Sequence, residues 1–199
     1  MIGLTKSNNL SALIFSSALV VMSGITLGAS SDTIDASVPR LGGGNIEFAI
    51  PSALRPTVGL DFFTLSTDFP GFPHPDYSGT QARSVFLIVR TRPPYGTLAT
   101  DILSGRHANL KELPEQDGYR VFIEHVPRET VTIRHYLFYD EHHNPVVVSD
   151  PGEWSRSYGL EHAFGEGYEI KAVINKEYGV DFKKIDKDTM NFVASMIRR

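Results

Sequence analysis

The stretch from Tyr168 to Arg199 narrows the choice of fold more than any other part of the chain. It begins YEIKAVINKEY, in which Ile170, Ala172 and Ile174 alternate with Lys171, Val173 and Asn175, the period-two pattern of a strand. Gly179 interrupts the pattern, and Asp181 follows as an N-cap whose carboxylate suits the free N–H groups of a first helical turn. Phe182, Ile185, Thr189, Phe192, Val193 and Met196 then recur at helical spacing, leaving Lys183, Lys184, Lys187 and Asp188 for solvent. A helix with one apolar stripe is stable only when that stripe is covered. The rest of the chain therefore has to supply a sheet for it to lie on.

The preceding text reads as that sheet. Asn45 to Pro51 alternates Ile46, Phe48 and Ile50, and a short strand follows around LDFFTL. The segment 83–92, with an apolar run from Val85 to Val89, has the composition of a central strand ended by Pro93 and Pro94. Segments 118–126 and 129–139 read as paired strands, DEHHNP at 140–145 as a turn, and 146–149 as a further strand. Segments 158–164 and 168–178 close a hairpin through Gly165, Glu166 and Gly167. Leu98, Ile102, Leu103, His107 and Leu110 fall roughly on one face and predict a helix over 98–113, weakened by Gly105. The expected class is α+β: a twisted, mainly antiparallel sheet with one middle helix and a C-terminal amphipathic helix packed on it.

Residues 1–29 have the form of a signal peptide: Lys6, the apolar stretch LSALIFSSALVVM, then Gly24, Gly28 and small residues at Ala29, Ser30 and Ser31. The expectation is export and cleavage, giving a periplasmic protein, with an uncleaved anchor as the alternative. Residues 30–44 (SSDTIDASVPRLGGG, from Ser30) read as a flexible leader and 45–199 as one domain. The chain has no cysteine, which excludes disulfides, thiolate nucleophiles and zinc–thiolate sites. A net charge of −4 gives no footprint for nucleic acid.

Chemistry-bearing residues are sparse. The densest titratable cluster is His135, Asp140, Glu141, His142 and His143, a set with metal-ligand chemistry that a solvated turn would equally contain. His74, Asp76 and Ser78 lie together in DFPGFPHPDYSGT, but no nucleophile elbow surrounds any serine. Gly42, Gly43 and Gly44 lack the lysine of a phosphate-binding loop. No catalytic residue, metal or cofactor is expected. Phe69, Phe72, His74 and Tyr77 on the proline-rich loop, and His142, His143, Trp154 and Arg156 further on, are the candidate partner-binding residues, because exposed aromatic and arginine side chains dominate interface energetics. Residues 168–199 hold seven Lys and Arg against five Asp and Glu, so a basic helix face for an acidic partner is a further alternative.

Phe48, Ile50 and Pro51 near the start, and Asp181, Phe182, Lys183, Ile185 and Asp186 near the end, form an F-x-I-P segment and a D-F-K-x-I-D helix start. With the exported leader and β-rich middle, this layout resembles small proteobacterial envelope proteins of the type VI secretion immunity kind. The resemblance implies a periplasmic binding protein that occludes the active site of a cognate toxin. The alternatives are a small periplasmic enzyme or metal protein using His135, His142 and His143, and a structural envelope protein.

Overall fold

The computed structural model describes residues 32–67, 85–126, 131–165 and 167–198. Thr33–Pro39 (β1) and Asn45–Pro51 (β2) form an antiparallel hairpin. Then follow Thr57–Val58 (β3), Phe62–Thr67 (β4), Val85–Thr91 (β5), the helix Leu98–Leu103 (α1), Leu110–Gln116 (β6), Tyr119–His125 (β7), Thr132–Tyr139 (β8), Pro145–Asp150 (β9), Ser157–Ala163 (β10), Tyr168–Asn175 (β11) and the helix Phe182–Ala194 (α2). β3 to β11 make one nine-stranded sheet in the order β3-β4-β5-β11-β10-β9-β8-β7-β6, with neighbours antiparallel throughout. The α+β class read from the sequence is the observed one.

Strand alternation divides the sheet into two unlike faces. Tyr158 and Leu160 on β10, Ile170, Ala172 and Ile174 on β11, and Val85, Leu87 and Val89 on β5 share the main core. That face is covered by a layer made of α2 and the β1–β2 hairpin. Phe48 meets Phe63 edge-on with ring centroids 4.9 Å apart. The chain leaving α2 is stitched to β2 by Ala49 N to Met196 O (2.8 Å) and Arg198 N to Glu47 O (2.8 Å). Asp181 caps α2 as expected, accepting from Lys184 N at 3.0 Å. Its first buried residue, Phe182, sits among Tyr119, Tyr136 and Tyr158, with centroids 5.7, 4.8 and 5.0 Å away.

The opposite face is covered in part by α1, through a small cluster of Ala99, Ile102, Phe122, Leu137 and Val147. Val146 and Val148 point to the main core and Val147 to this second cluster, so β9 is apolar on both sides. α1 opens with a capping box: Thr97 N donates to Thr100 Oγ1 (2.7 Å), and Thr100 N donates back to Thr97 Oγ1 (3.3 Å).

Two expectations change. The helix expected over 98–113 ends at Leu103, and 110–116 is the edge strand β6. Gly105 and Asn109 both take positive φ (67° and 69°), which turns the chain out of the helix before Leu110 pairs with Glu124. Within 30–44, expected as a flexible leader, Thr33–Pro39 is a strand whose Ala36 and Val38 are buried. Its remaining polar residues face outward, which is why composition alone reads as a leader. Residues 1–29 lie outside the described residues, and no described helix is long and apolar enough to cross a membrane.

Candidate functional site

A cleft of 380 Å³ opens between α2 and the turn joining β8 to β9. Its polar centre is His162, the last inward-facing residue of β10, with no measurable exposure. Nδ1 of His162 lies 2.7 Å from Oδ1 of Asp186, and Nε2 lies 3.2 Å from Oδ2 of Asp140. Asp186 reaches the histidine because it follows Phe182 by four residues and shares the buried stripe of α2. Asp140 is fixed by its own turn, where it accepts from His142 N (2.8 Å), Asn144 N (2.7 Å) and Asn144 Nδ2 (2.9 Å).

Two carboxylates on one imidazole constrain the protons. Both N···O contacts are hydrogen bonds only with two protons among the three groups: an imidazolium between two carboxylates, or a neutral ring with one acid protonated. Either arrangement leaves a charge of −1. Burial is the chief influence on Asp186 and raises its pKa, opposed by the bond to His162 and reinforced by the charge of Asp140. For Asp140 burial also acts upward, but the hydrogen bonds from Asn144 and His142 and the nearby His162 outweigh it and hold the carboxyl below its ordinary value.

An aromatic wall continues from this centre. His162 stacks on Phe164 (centroids 4.2 Å, planes 5° apart), and Phe164 stacks on Tyr168 (4.4 Å, 5°). Met190 and Val193 of α2 add apolar surface, and Lys183, Lys187, Glu141 and His142 stand around the cleft. The arrangement suits an inserted apolar or aromatic group whose polar edge meets charges of both signs.

Of the partner-binding residues expected from sequence, Phe69, Phe72, His74 and Tyr77 lie outside the described residues. His142 lines the cleft, with its side chain 76% exposed. His143 adopts φ 61° in the same turn. Trp154, 69% exposed in the 3-10 turn Gly152–Trp154, and Arg156 stand at the far end of β9. Six residues of strand separate the two groups, about 20 Å. They do not make one contiguous patch.

Nor does the expected titratable cluster assemble. Asp140 turns to His162, whereas His135 projects from the other face of the sheet. There Nδ1 of His135 is 2.9 Å from Oγ of Ser149, and Nε2 is 3.0 Å from Oε2 of Glu124. Burial is the main effect on His135 and lowers its pKa despite Glu124, keeping the ring neutral. Ser149 pairs with His135 on its β8 side and with Gly159 on its β10 side, so no side chain flanks it directly from β10. Among the described residues no group of three or more His, Asp or Glu is placed to hold a metal ion.

His162, Ser149 and Glu124 were not singled out by sequence. His162 had a signal, since it falls at an inward position of an alternating strand (Tyr158, Leu160, His162). Asp186 likewise falls in the apolar stripe of a helix. The Ser149–His135–Glu124 set depends on cross-strand register and had none.

No family model matches the chain, and no curated protein matches it. Among solved structures, the iron-regulated outer membrane lipoprotein FrpD of Neisseria meningitidis is similar at 10% sequence identity, with a TM-score of 0.48, covering 83% of this chain and 93% of that one. A likeness at that level carries no argument about partner or activity.

Proposed function

We propose that this chain is an exported, non-catalytic binding protein that recognises a partner protein through the cleft between α2 and the β8–β9 turn. In its finer form it is a periplasmic immunity protein, of the kind that counters type VI secretion toxins, and it occludes the toxin's active site. The reading is supported above all by the cleft: an aromatic wall ending in a buried histidine–carboxylate centre, with Lys183, Lys187 and His142 around it. Fully desolvated aromatic contacts surrounded by polar groups are the anatomy of an interface hot spot. The leader at residues 1–29 supports the compartment.

The test has two arms. The immobilised protein is exposed to periplasmic extract of its own host beside a Met190→Glu variant, in which a charge enters the cleft. One stoichiometric partner retained by the first and lost by the second supports the reading, and equal capture by both contradicts it. For the immunity form, the neighbouring gene product is directed to the periplasm of cells lacking this gene. Loss of viability, restored by the wild type and not by Met190→Glu, supports it, and full tolerance sinks it.

A second reading, a small periplasmic hydrolase, is favoured by the Ser149–His135–Glu124 geometry. A neutral imidazole between a hydroxyl and a carboxylate is the arrangement that activates serine. Covalent labelling of Ser149 by a fluorophosphonate, abolished in Ser149→Ala and in His135→Gln, would establish it. An unlabelled wild-type protein would remove it.

A further inference from the structure

Ion pairing sorts the seven Lys and Arg of residues 168–199 into two groups. Lys171 is held by Glu161 at 2.6 Å, Lys176 by Asp150 at 2.5 Å, Lys184 by Asp188 at 2.6 Å, and Arg198 by Asp35. Arg199 lies outside the described residues. Lys183 and Lys187 are left, and among the described residues neither has a carboxylate partner. Both are exposed, and both stand on the rim of the α2 cleft. Nζ of Lys183 lies 5.2 Å from the centroid of the Tyr119 ring. Four residues separate the two lysines, so they share one edge of α2, about 6 Å apart along its axis. The basic surplus of the C-terminal stretch is therefore concentrated at the cleft.

The rest of the cleft restricts what can meet them. At its inner end Asp140, His162 and Asp186 together carry net negative charge, so a carboxylate pushed inward would be repelled while losing its hydration. The walls there are Phe164 and Met190, which favour an uncharged, apolar or aromatic group. On the rim facing α2 stands Glu141, its side chain 81% exposed and 3.9 Å from His142. An acidic group approaching from that side meets a like charge. The rim is thus polarised, with cations along α2 and an anion on the β8–β9 turn, and complementary charge fixes which way a bound segment lies.

We propose that the partner presents a segment with one aromatic side chain, which enters the cleft, and acidic side chains beside it, which lie over Lys183 and Lys187. The inference rests on the reading that the cleft is the partner site, and it adds the chemistry of what binds there. The aromatic group supplies the desolvated contact, and the carboxylates set the direction and speed of approach. Side chains four apart on a helix or two apart on a strand match the spacing of the two lysines.

The experiment selects a phage-displayed library of random linear peptides on the immobilised full chain. Enriched sequences should carry an aromatic residue with Asp or Glu within about four positions. As synthetic peptides they should bind the wild type and lose binding to Met190→Glu. On Lys187→Glu they should weaken about fivefold, the scale of one exposed ion pair, and all affinities should fall as salt is raised. Selection on the Lys183→Glu, Lys187→Glu double variant should enrich Lys or Arg in place of Asp or Glu. Both lysines are exposed, so these variants keep the inference testable where Met190→Glu fails to fold. Peptides that are lost on Met190→Glu but lack acidic residues, or that ignore Lys187→Glu, overturn the inference and leave the cleft reading standing. Peptides that bind Met190→Glu as well as the wild type overturn both. A selection that enriches no sequence overturns the inference.

Discussion

Oδ1 of Asp186 lies 2.7 Å from Nδ1 of His162, joining the buried face of α2 to the last inward residue of β10. This contact does two things. It pins the C-terminal helix to the sheet at a fixed rotation, and it sets the polar end of the cleft. Removing His162 would leave the buried carboxylate of Asp186 without its donor, facing that of Asp140, which keeps its bonds from His142 N and Asn144. His162→Ala should therefore lose about 3–5 kcal/mol of stability in urea unfolding, as breaking a buried pair generally does. A loss below 1 kcal/mol would show that the pair is not structural.

Phe182 anchors the same helix among Tyr119, Tyr136 and Tyr158. Phe182→Ala should cost about 3–5 kcal/mol. Truncation before Asp181 removes α2 and the two hydrogen bonds that join Met196 and Arg198 to β2, uncovering the part of the core that Phe182, Ile185 and Val193 fill. It should abolish cooperative melting. A truncated chain that melts cooperatively would contradict this layering.

Gly167 ties three segments together. Its carbonyl accepts from Leu41 N and Arg92 N, both at 3.0 Å, and its φ is +89°. A Cβ here would meet Leu41 N at 2.4 Å. Gly167→Ala should destabilise by about 1 kcal/mol or more, with amide exchange rising in β1 and β2. Exchange unchanged in that hairpin would count against the tie.

The acid side of the stability curve should carry the signature of His135. Its folded pKa lies below the ordinary 6.5, so the folded state binds fewer protons there. Its contribution is complete above pH 6.5 and is lost as pH falls from there through the folded value. Asp186 and Glu169 have the opposite sign: their folded pKa values are raised, so each contributes most at acid pH and loses that contribution as pH rises through its folded value. His135→Gln should flatten the fall in stability below pH 6.5, measured by urea midpoints across pH. An unaltered slope would assign that limb to other groups.

Periodicity made much of this fold readable. Ile170, Ala172 and Ile174, and then Phe182, Ile185 and Val193, declare a strand and a helix because burial selects one face of each. The same logic failed where its premise failed. Leu98, Ile102, Leu103 and Leu110 mimic one helical face, but they belong to a short helix and an edge strand separated by Gly105. β1 was hidden because only Ala36 and Val38 of TIDASVP face the core. The candidate site was less legible still. His142 was named for its exposed chemistry and does line the cleft, but the centre of that cleft is made of buried residues brought together from β10, α2 and a turn. Such a centre depends on how helix and sheet dock, which no local pattern records.

The central claim, that a partner seats in the cleft at α2, is tested most directly by site-specific photocrosslinking in living cells. A benzophenone amino acid replaces His142 at the cleft in one strain and Trp154 at the far end of β9 in another. The account predicts one discrete protein adduct from position 142 and none from position 154. An adduct from position 154 alone, or from neither position, would contradict it.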